Sequence, residues 1–166
     1  MKIKISNLAE GIHELQLSKS VKELNLDKPF KNNLKLDCTI DKSVHQIVVN
    51  CNLSADADFI CDRCGENYSD ELHHEFRLVY LFEKNIDDIE SVNIKYVSGN
   101  IEELNLTQDA IDYAYLSVPM KKLCSDDCLG LCPDCGVNLN KQKCSCKIEN
   151  INPVWEKLLN LKDNLN

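Results

Sequence analysis

The sequence contains no apolar run approaching the ~18 residues that a membrane-spanning helix needs, which excludes a helical membrane span. A secretory signature is also lacking. Met1-Lys2-Ile3-Lys4-Ile5 alternates charged and apolar side chains and cannot serve as the continuous apolar core of a signal peptide. There is no GxSxG elbow, no Walker loop and no GxGxxG turn, and no cysteine–histidine pair is placed as nucleophile and base. No constellation meets even the outline of an active site, so the chain reads as a non-enzyme without a small-molecule substrate. Arginine is confined to Arg63 and Arg77, and an excess of positive charge is absent. Phosphate binding is driven by Lys and Arg displacing counterions, so a freely acting nucleic-acid binder would not usually carry a net charge of −8. Glycine (5) and proline (4) are too scarce for a Gly/Pro-rich linker, and no repeat or low-complexity tract stands out. With no membrane or export signal, the chain reads as cytoplasmic, where thiols are kept reduced.

What is present is ten cysteines in an otherwise ordinary composition, 43% hydrophobic and 28% charged. A length of 166 residues supports one compact domain with an appendage, or two small units. Charge is unevenly spread. Residues 1–120 hold 12 basic against 21 acidic side chains, a balance of −9, whereas 121–166 hold 7 against 6, a balance of +1. We read 1–120 as an acidic β-rich body and 121–166 as a cysteine-rich zinc ribbon with a closing helix packed on that body.

Hydrophobic period supports this division. Apolar residues alternate at Leu34, Leu36, Cys38 and Ile40, and again at Ile47, Val49, Cys51 and Leu53. Joined by the polar Asp41-Lys42-Ser43, these runs predict a β-hairpin with one buried face. Leu72, His74, Phe76, Leu78, Tyr80 and Phe82 predict a further strand, and Val92, Ile94 and Tyr96 a shorter one. Helical spacing follows at Ile111, Ala114, Tyr115 and Val118, with Thr107 as cap and Pro119 as stop, placing a helix near 108–118. Asn152 and Pro153 open a short C-terminal helix whose apolar side carries Val154, Trp155, Leu158, Leu159 and Leu161. The fold class is therefore α+β, with an antiparallel β-rich body, one following helix, the ribbon and the closing helix.

The cysteines carry the chemistry. Cys61-Asp62-Arg63-Cys64-Gly65 has the CxxC spacing that lets two thiolates reach one ion in a tight knuckle. The glycine permits the positive φ that turns backbone N–H groups toward sulfur. Alone this motif is only moderately specific, because a redox pair or chance gives the same pattern. Cys132-Pro133-Asp134-Cys135-Gly136 repeats it, and Cys144-Ser145-Cys146 completes a set of four thiols. Cys124 and Cys128 are four apart, on one face of a helical turn. Eight thiols divide most simply into two zinc sites. Cys132, Cys135, Cys144 and Cys146 form a local one, and Cys61, Cys64, Cys124 and Cys128 a long-range one clamping the ribbon to the body. A single site with the other thiols free is the rival arrangement. Neither set keeps a position open for water, so the metal is expected to support folding and not catalysis. Cys38 and Cys51, on the apolar face of the hairpin, are expected to pack there as small free hydrophobes.

Other candidates are weaker. His73 and His74 are adjacent in a strand and must face opposite ways, which prevents them from gripping one metal. The carboxylates Asp87, Asp88 and Glu90 lie in a polar segment between strands and read as a solvated face. That face suits docking on a basic protein better than on naked RNA. Lys121, Lys122, Lys141, Lys143 and Lys147 leave direct RNA contact as a secondary reading.

From Cys124 the chain reads CSDDCLGLCPDCGVNLN, then KQKCSC, then NPVWEKLLNLKD. Together with Cys61/Cys64 and the helix end at Val118-Pro119-Met120, this resembles the YceD family, also called large ribosomal RNA subunit accumulation proteins, in its bacterial form with a cysteine-rich tail. The resemblance is specific over about residues 105–162 and at the first CxxC; Asn152-Pro153-Val154 departs from the family's usual closing helix. It implies a cytoplasmic factor in ribosome biogenesis, needed for accumulation of large-subunit ribosomal RNA, with no established enzymatic activity. A ribosomal protein or a pre-ribosomal particle is the implied partner. Two other classes compete: a redox-sensitive zinc module that oxidation would empty, and a nucleic-acid-binding zinc ribbon, which the acidic balance counts against.

Overall fold

The computed structural model describes residues 1–83 and 92–146. Asp87, Asp88, Glu90, Lys147 and the expected closing helix, from Asn152 through Leu161, lie outside the described residues. The elements in chain order are β1 (Lys2–Lys4), β2 (Gly11–Ser20), β3 (Phe30–Lys42), β4 (Gln46–Ile60), β5 (Asn67–Leu81), β6 (Ile94–Tyr96), β7 (Glu103–Asn105) and α1 (Thr107–Leu116). Two sheets result. β2-β3-β4-β5-β6 form one of five strands, and β1 pairs with β7 in another of two. Among the described residues no helix is long and apolar enough to cross a membrane.

The expected hairpin is β3–β4, with Leu36 opposite Leu53 and Ile40 opposite Val49. Strict alternation follows from the period-two pleat. Leu34, Leu36, Ile40, Ile47, Val49, Leu53 and Leu78 are buried on one face, and Lys35, Asp37, Asn52 and Glu75 are exposed on the other. Full burial of each such aliphatic side chain contributes about 1.5–3 kcal/mol. α1 covers part of the inner face with Ala110 and Ala114, both fully buried, against β4 and β5. Small residues there let the helix backbone come close to the sheet. Tyr113 stacks on Phe76 with ring centroids 4.2 Å apart. His74 lies half-buried on this inner side, stacked on Tyr113, while His73 is exposed, as adjacent strand positions require.

Three expectations are corrected, and one strand is new. The five-stranded sheet is not wholly antiparallel, because β6 pairs parallel to β5, Val79 opposite Ile94. Thr107 is the first helical residue and not the cap. Leu106 holds the cap position without a side-chain bond, the Asn105 carboxamide oxygen accepts the Thr107 N–H, and the Thr107 hydroxyl is engaged by the Met1 amino group. β2, whose alternation of Ile12, Glu14, Gln16 and Ser18 with His13, Leu15 and Leu17 spans ten residues, was not anticipated. Finally, Cys38 and Cys51 are buried in the core as expected, but they are joined in a disulfide and are not free thiols. The physical reason is the β3–β4 register, which sets Cys38 directly opposite Cys51.

The chain divides into two compact units. Among the described residues, one comprises Met1–Ile60 with those between Asn67 and Lys122, and the other Cys61–Glu66 with those from Leu123 through Cys146. The second unit thus takes in the knuckle at Cys61–Glu66 as well as the later cysteines.

Candidate metal centres

Ile60 pairs with Asn67 at the end of the β4–β5 hairpin, so the loop joining these two strands is the segment Cys61–Glu66. Its turn is closed by two backbone bonds: the Gly65 N–H donates to the Cys61 carbonyl (2.9 Å) and the Cys61 N–H to the Glu66 carbonyl (2.8 Å). Residues 132–137 repeat this pattern, with Gly136 N–H to the Cys132 carbonyl (2.9 Å) and Cys132 N–H to the Val137 carbonyl (2.8 Å). Gly65 and Gly136 both sit at φ +71°, a left-handed conformation that costs other residues roughly 1–2 kcal/mol. The two CxxCG motifs are therefore one device used twice.

Cys124 and Cys128 are held by a turn and not by the expected helical one. The Cys128 N–H donates to the Ser125 carbonyl (3.0 Å), and the Ser125 hydroxyl accepts the Asp127 N–H (3.3 Å). Arg63 fixes this turn to the first knuckle by donating to the carbonyls of Asp126 (3.1 Å) and Cys128 (3.0 Å).

The eight cysteines converge in two groups, Cys61, Cys64, Cys124 and Cys128, and Cys132, Cys135, Cys144 and Cys146. Within each, all four sulfurs lie within 4.8 Å of one another. In the first group Cys61–Cys128 are 3.8 Å apart and Cys64–Cys124 3.7 Å. Four sulfurs at about 2.3 Å from a tetrahedral centre are about 3.8 Å from each other, so the donor set and its size fit a four-coordinate ion. The second group is tighter, with Cys135–Cys144 at 3.5 Å and Cys132–Cys144 at 3.3 Å. It is also more open: only Cys132 is buried there, whereas Cys61, Cys64 and Cys128 are all buried in the first.

Electrostatics agree with cation binding. The backbone N–H of Cys124, helped by those of Cys64 and Arg63, draws the Cys61 thiol down to about 6. The N–H groups of Cys135 and Asp134 draw Cys132 to about 7. Their neighbours move the other way: contact with the Cys61 and Cys64 sulfurs pushes Cys124 up to about 12, and contact with Cys144 and Cys135 does the same to Cys146. Against the cost of burial, the Asn140 amide and the Gly130 N–H also draw the Cys128 thiol down. Thiolates thus form readily at Cys61 and Cys128 in the first group and at Cys132 in the second, and each resists the formation of the next. Only a bound cation lets all four ionise together.

The roles of three residues around the centres escaped sequence reasoning. The Asn140 amide donates to the Cys128 sulfur (3.3 Å), Asn138 donates to Glu66 (3.3 Å), and Lys141 forms an ion pair with Glu66 (2.5 Å). The sequence placed these asparagines in the NLN segment after the second knuckle without indicating what they touch. Lys141, offered as a candidate RNA contact, is engaged in this ion pair.

Fold and site together define a class: a β-rich protein with two four-cysteine groups able to hold metal ions. The chain belongs to the family described as large ribosomal RNA subunit accumulation protein YceD, whose model matches residues 49–162 and so covers both cysteine groups. It is similar to the Arabidopsis thaliana protein named large ribosomal RNA subunit accumulation protein YCED homolog 1, chloroplastic. The two are 24% identical, with 63% of this chain and 41% of the plant protein covered. A Mycobacterium tuberculosis protein without an assigned role is 27% identical over 77% of this chain and 61% of its own. The chain thus spans 41% of the plant relative and 61% of the mycobacterial one, under two thirds of each. No solved structure matches it.

Proposed function

We propose that this protein is a non-enzymatic ribosome-biogenesis factor of the cytoplasm that supports accumulation of large-subunit ribosomal RNA, with two structural zinc ions holding its cysteine-rich unit. The observation that carries this reading is the family match over residues 49–162, a range that includes both four-thiol groups. Zinc is favoured among ions that accept four thiolates because it supplies tetrahedral structural sites without redox chemistry. Cys61, Cys64, Cys124 and Cys128 would hold one ion, and Cys132, Cys135, Cys144 and Cys146 the other.

The partner in this reading is basic, a ribosomal protein or a pre-ribosomal particle. Support comes from the charge of the molecule and from the outer face of the five-stranded sheet. There Glu14 on β2, Asp37 and Asp41 on β3 and Glu75 on β5 are all exposed and outnumber the exposed Lys35 and Arg77 of the same face. Asp87, Asp88 and Glu90 extend the same chemistry in sequence. Such a surface steers a cationic protein toward it and repels naked RNA.

The test has two parts. Elemental analysis of protein purified without chelator should give close to two zinc ions per chain, and Cys132→Ser should lose at least one. In a deletion strain of the source organism, the wild-type gene should restore large-subunit ribosomal RNA, and a tagged copy should recover ribosomal precursors or a ribosomal protein. Normal large-subunit RNA in the deletion strain rejects the functional reading.

A further inference from the structure

The NLN segment builds a polar relay across the first four-cysteine group, and on either side of it the chain runs into Cys135 and Cys144 of the second. The Asn140 side-chain oxygen accepts the Leu129 N–H (2.8 Å), which fixes the orientation of the amide. Its nitrogen then faces the Cys128 sulfur (3.3 Å) and the Asn138 side-chain oxygen (2.9 Å) and donates to both. Asn138 in turn donates to Glu66 (3.3 Å), which also receives Lys141 (2.5 Å). The Leu139 N–H donates to the Gly130 carbonyl (2.9 Å), and Leu131 bridges to Asn138. Residues 138–141 therefore touch both halves of the first centre, the knuckle ending at Glu66 and the turn ending at Cys128. These same residues lie between Cys135 and Cys144, two members of the second centre.

We infer that Asn140 is a positioning residue for the first centre and that metal binding at the second centre strengthens metal binding at the first through it. This inference rests on the metal-binding reading of the two groups. A cation drawn in by Cys132, Cys135, Cys144 and Cys146 pins both ends of the segment 136–143. The Asn140 amide is then held against Cys128, where its N–H stabilises the thiolate that faces the first ion. The coupling is reciprocal, because an occupied first centre holds the same amide and so favours closure of the second. Sequential filling is replaced by mutual support.

The experiment uses the full zinc-loaded chain. It is challenged with increasing concentrations of a zinc chelator, and each cysteine is then scored for alkylation by mass spectrometry. In the wild type the two groups should become reactive over a similar range of chelator. Asn140→Ala should expose Cys61, Cys64, Cys124 and Cys128 at roughly tenfold lower chelator, as loss of an outer-shell hydrogen bond commonly does, while the second group shifts less. Asn140→Asp keeps an oxygen for Leu129 but loses the N–H donor, and should also loosen the first group. Cys144→Ser should loosen the first group in the wild-type background and have little further effect alongside Asn140→Ala. The proposal is overturned if Asn140→Asp retains the first ion like the wild type, since the role would then be to seat Leu129. Equal loosening of both groups by Asn140→Ala, or additive effects of Cys144→Ser and Asn140→Ala, would overturn it as well. Failure of the metal reading is distinguishable, because the wild-type chain would then carry no zinc before any variant is made.

Discussion

Asp58 shows how single side chains fasten the sheet. Its carboxylate receives Lys31 (2.5 Å) from β3 and the Ser69 hydroxyl (2.6 Å) from β5, so one group on β4 ties three strands together. These bonds, Lys31 first and Ser69 next, hold its pKa below the ordinary 3.8. A depressed carboxylate pKa contributes stability that is complete above the unfolded value and is lost as pH falls through the folded one. Asp58→Asn should therefore lower the thermal midpoint at neutral pH. The difference from wild type should close as the pH drops below 3.8. Because Lys31 and Ser69 are partly exposed, the effect should be small, as for other surface pairs. A difference that persists in strong acid would show that packing and not charge is responsible. At this scale the sequence revealed residues whose role is local. The cysteines declared themselves by spacing, and Gly65 and Gly136 by following a CxxC. Asp58, Asn138 and Asn140 did not, because each acts on residues that only the fold brings near.

β4 is the organising element. It spans fifteen residues, pairs along nearly its full length with β3 and β5, and runs directly into the first knuckle. Its alternation was legible in the sequence because one face is buried and the other wet. The register was not, because a shift of two residues keeps every side chain on its own face while changing every partner. That difference explains the cysteine pair. Both Cys38 and Cys51 were placed on the inner face, yet only the register Leu36–Leu53, Cys38–Cys51, Ile40–Val49 makes them a bridge. β2 was overlooked because leucine alternates there with longer polar side chains at an edge where burial is incomplete. With 13 residues separating its ends, the disulfide closes a short loop worth about 3 kcal/mol in chain entropy. Cys38→Ala should lower unfolding stability by about this amount in denaturant titration, with zinc content unchanged. Loss of zinc in that variant would mean that the core pair and the metal centres depend on one another.

At the scale of the whole molecule, the two units are built differently. The four-cysteine groups stand where a hydrophobic core would be in the second unit, whose described residues bury few large apolar side chains beyond the cysteines themselves. The first unit has a complete core and leaves one broad polar sheet face outward. Binary alternation made that face readable as polar, but which strands would adjoin, and so how the carboxylates would gather, depended on the strand order. Asp37 and Glu75 are the best positions to test it, since both are exposed on interior strands, where reversing charge leaves the core untouched. Asp37→Lys with Glu75→Lys should leave zinc content and thermal midpoint near wild type. Association with a basic partner should slow by roughly tenfold at low salt, a difference that shrinks as the Debye length falls to about 8 Å at physiological ionic strength. Asp87, Asp88 and Glu90 replaced by Lys should act in the same direction. Lys141 is unsuitable as the opposing control, because it is paired with Glu66 beside the first centre; Lys143→Glu is the better choice. In a complemented deletion strain, the acidic-face variants should fail to restore large-subunit ribosomal RNA while Lys143→Glu succeeds. The reverse result would replace protein docking with direct contact between the cysteine-rich unit and RNA.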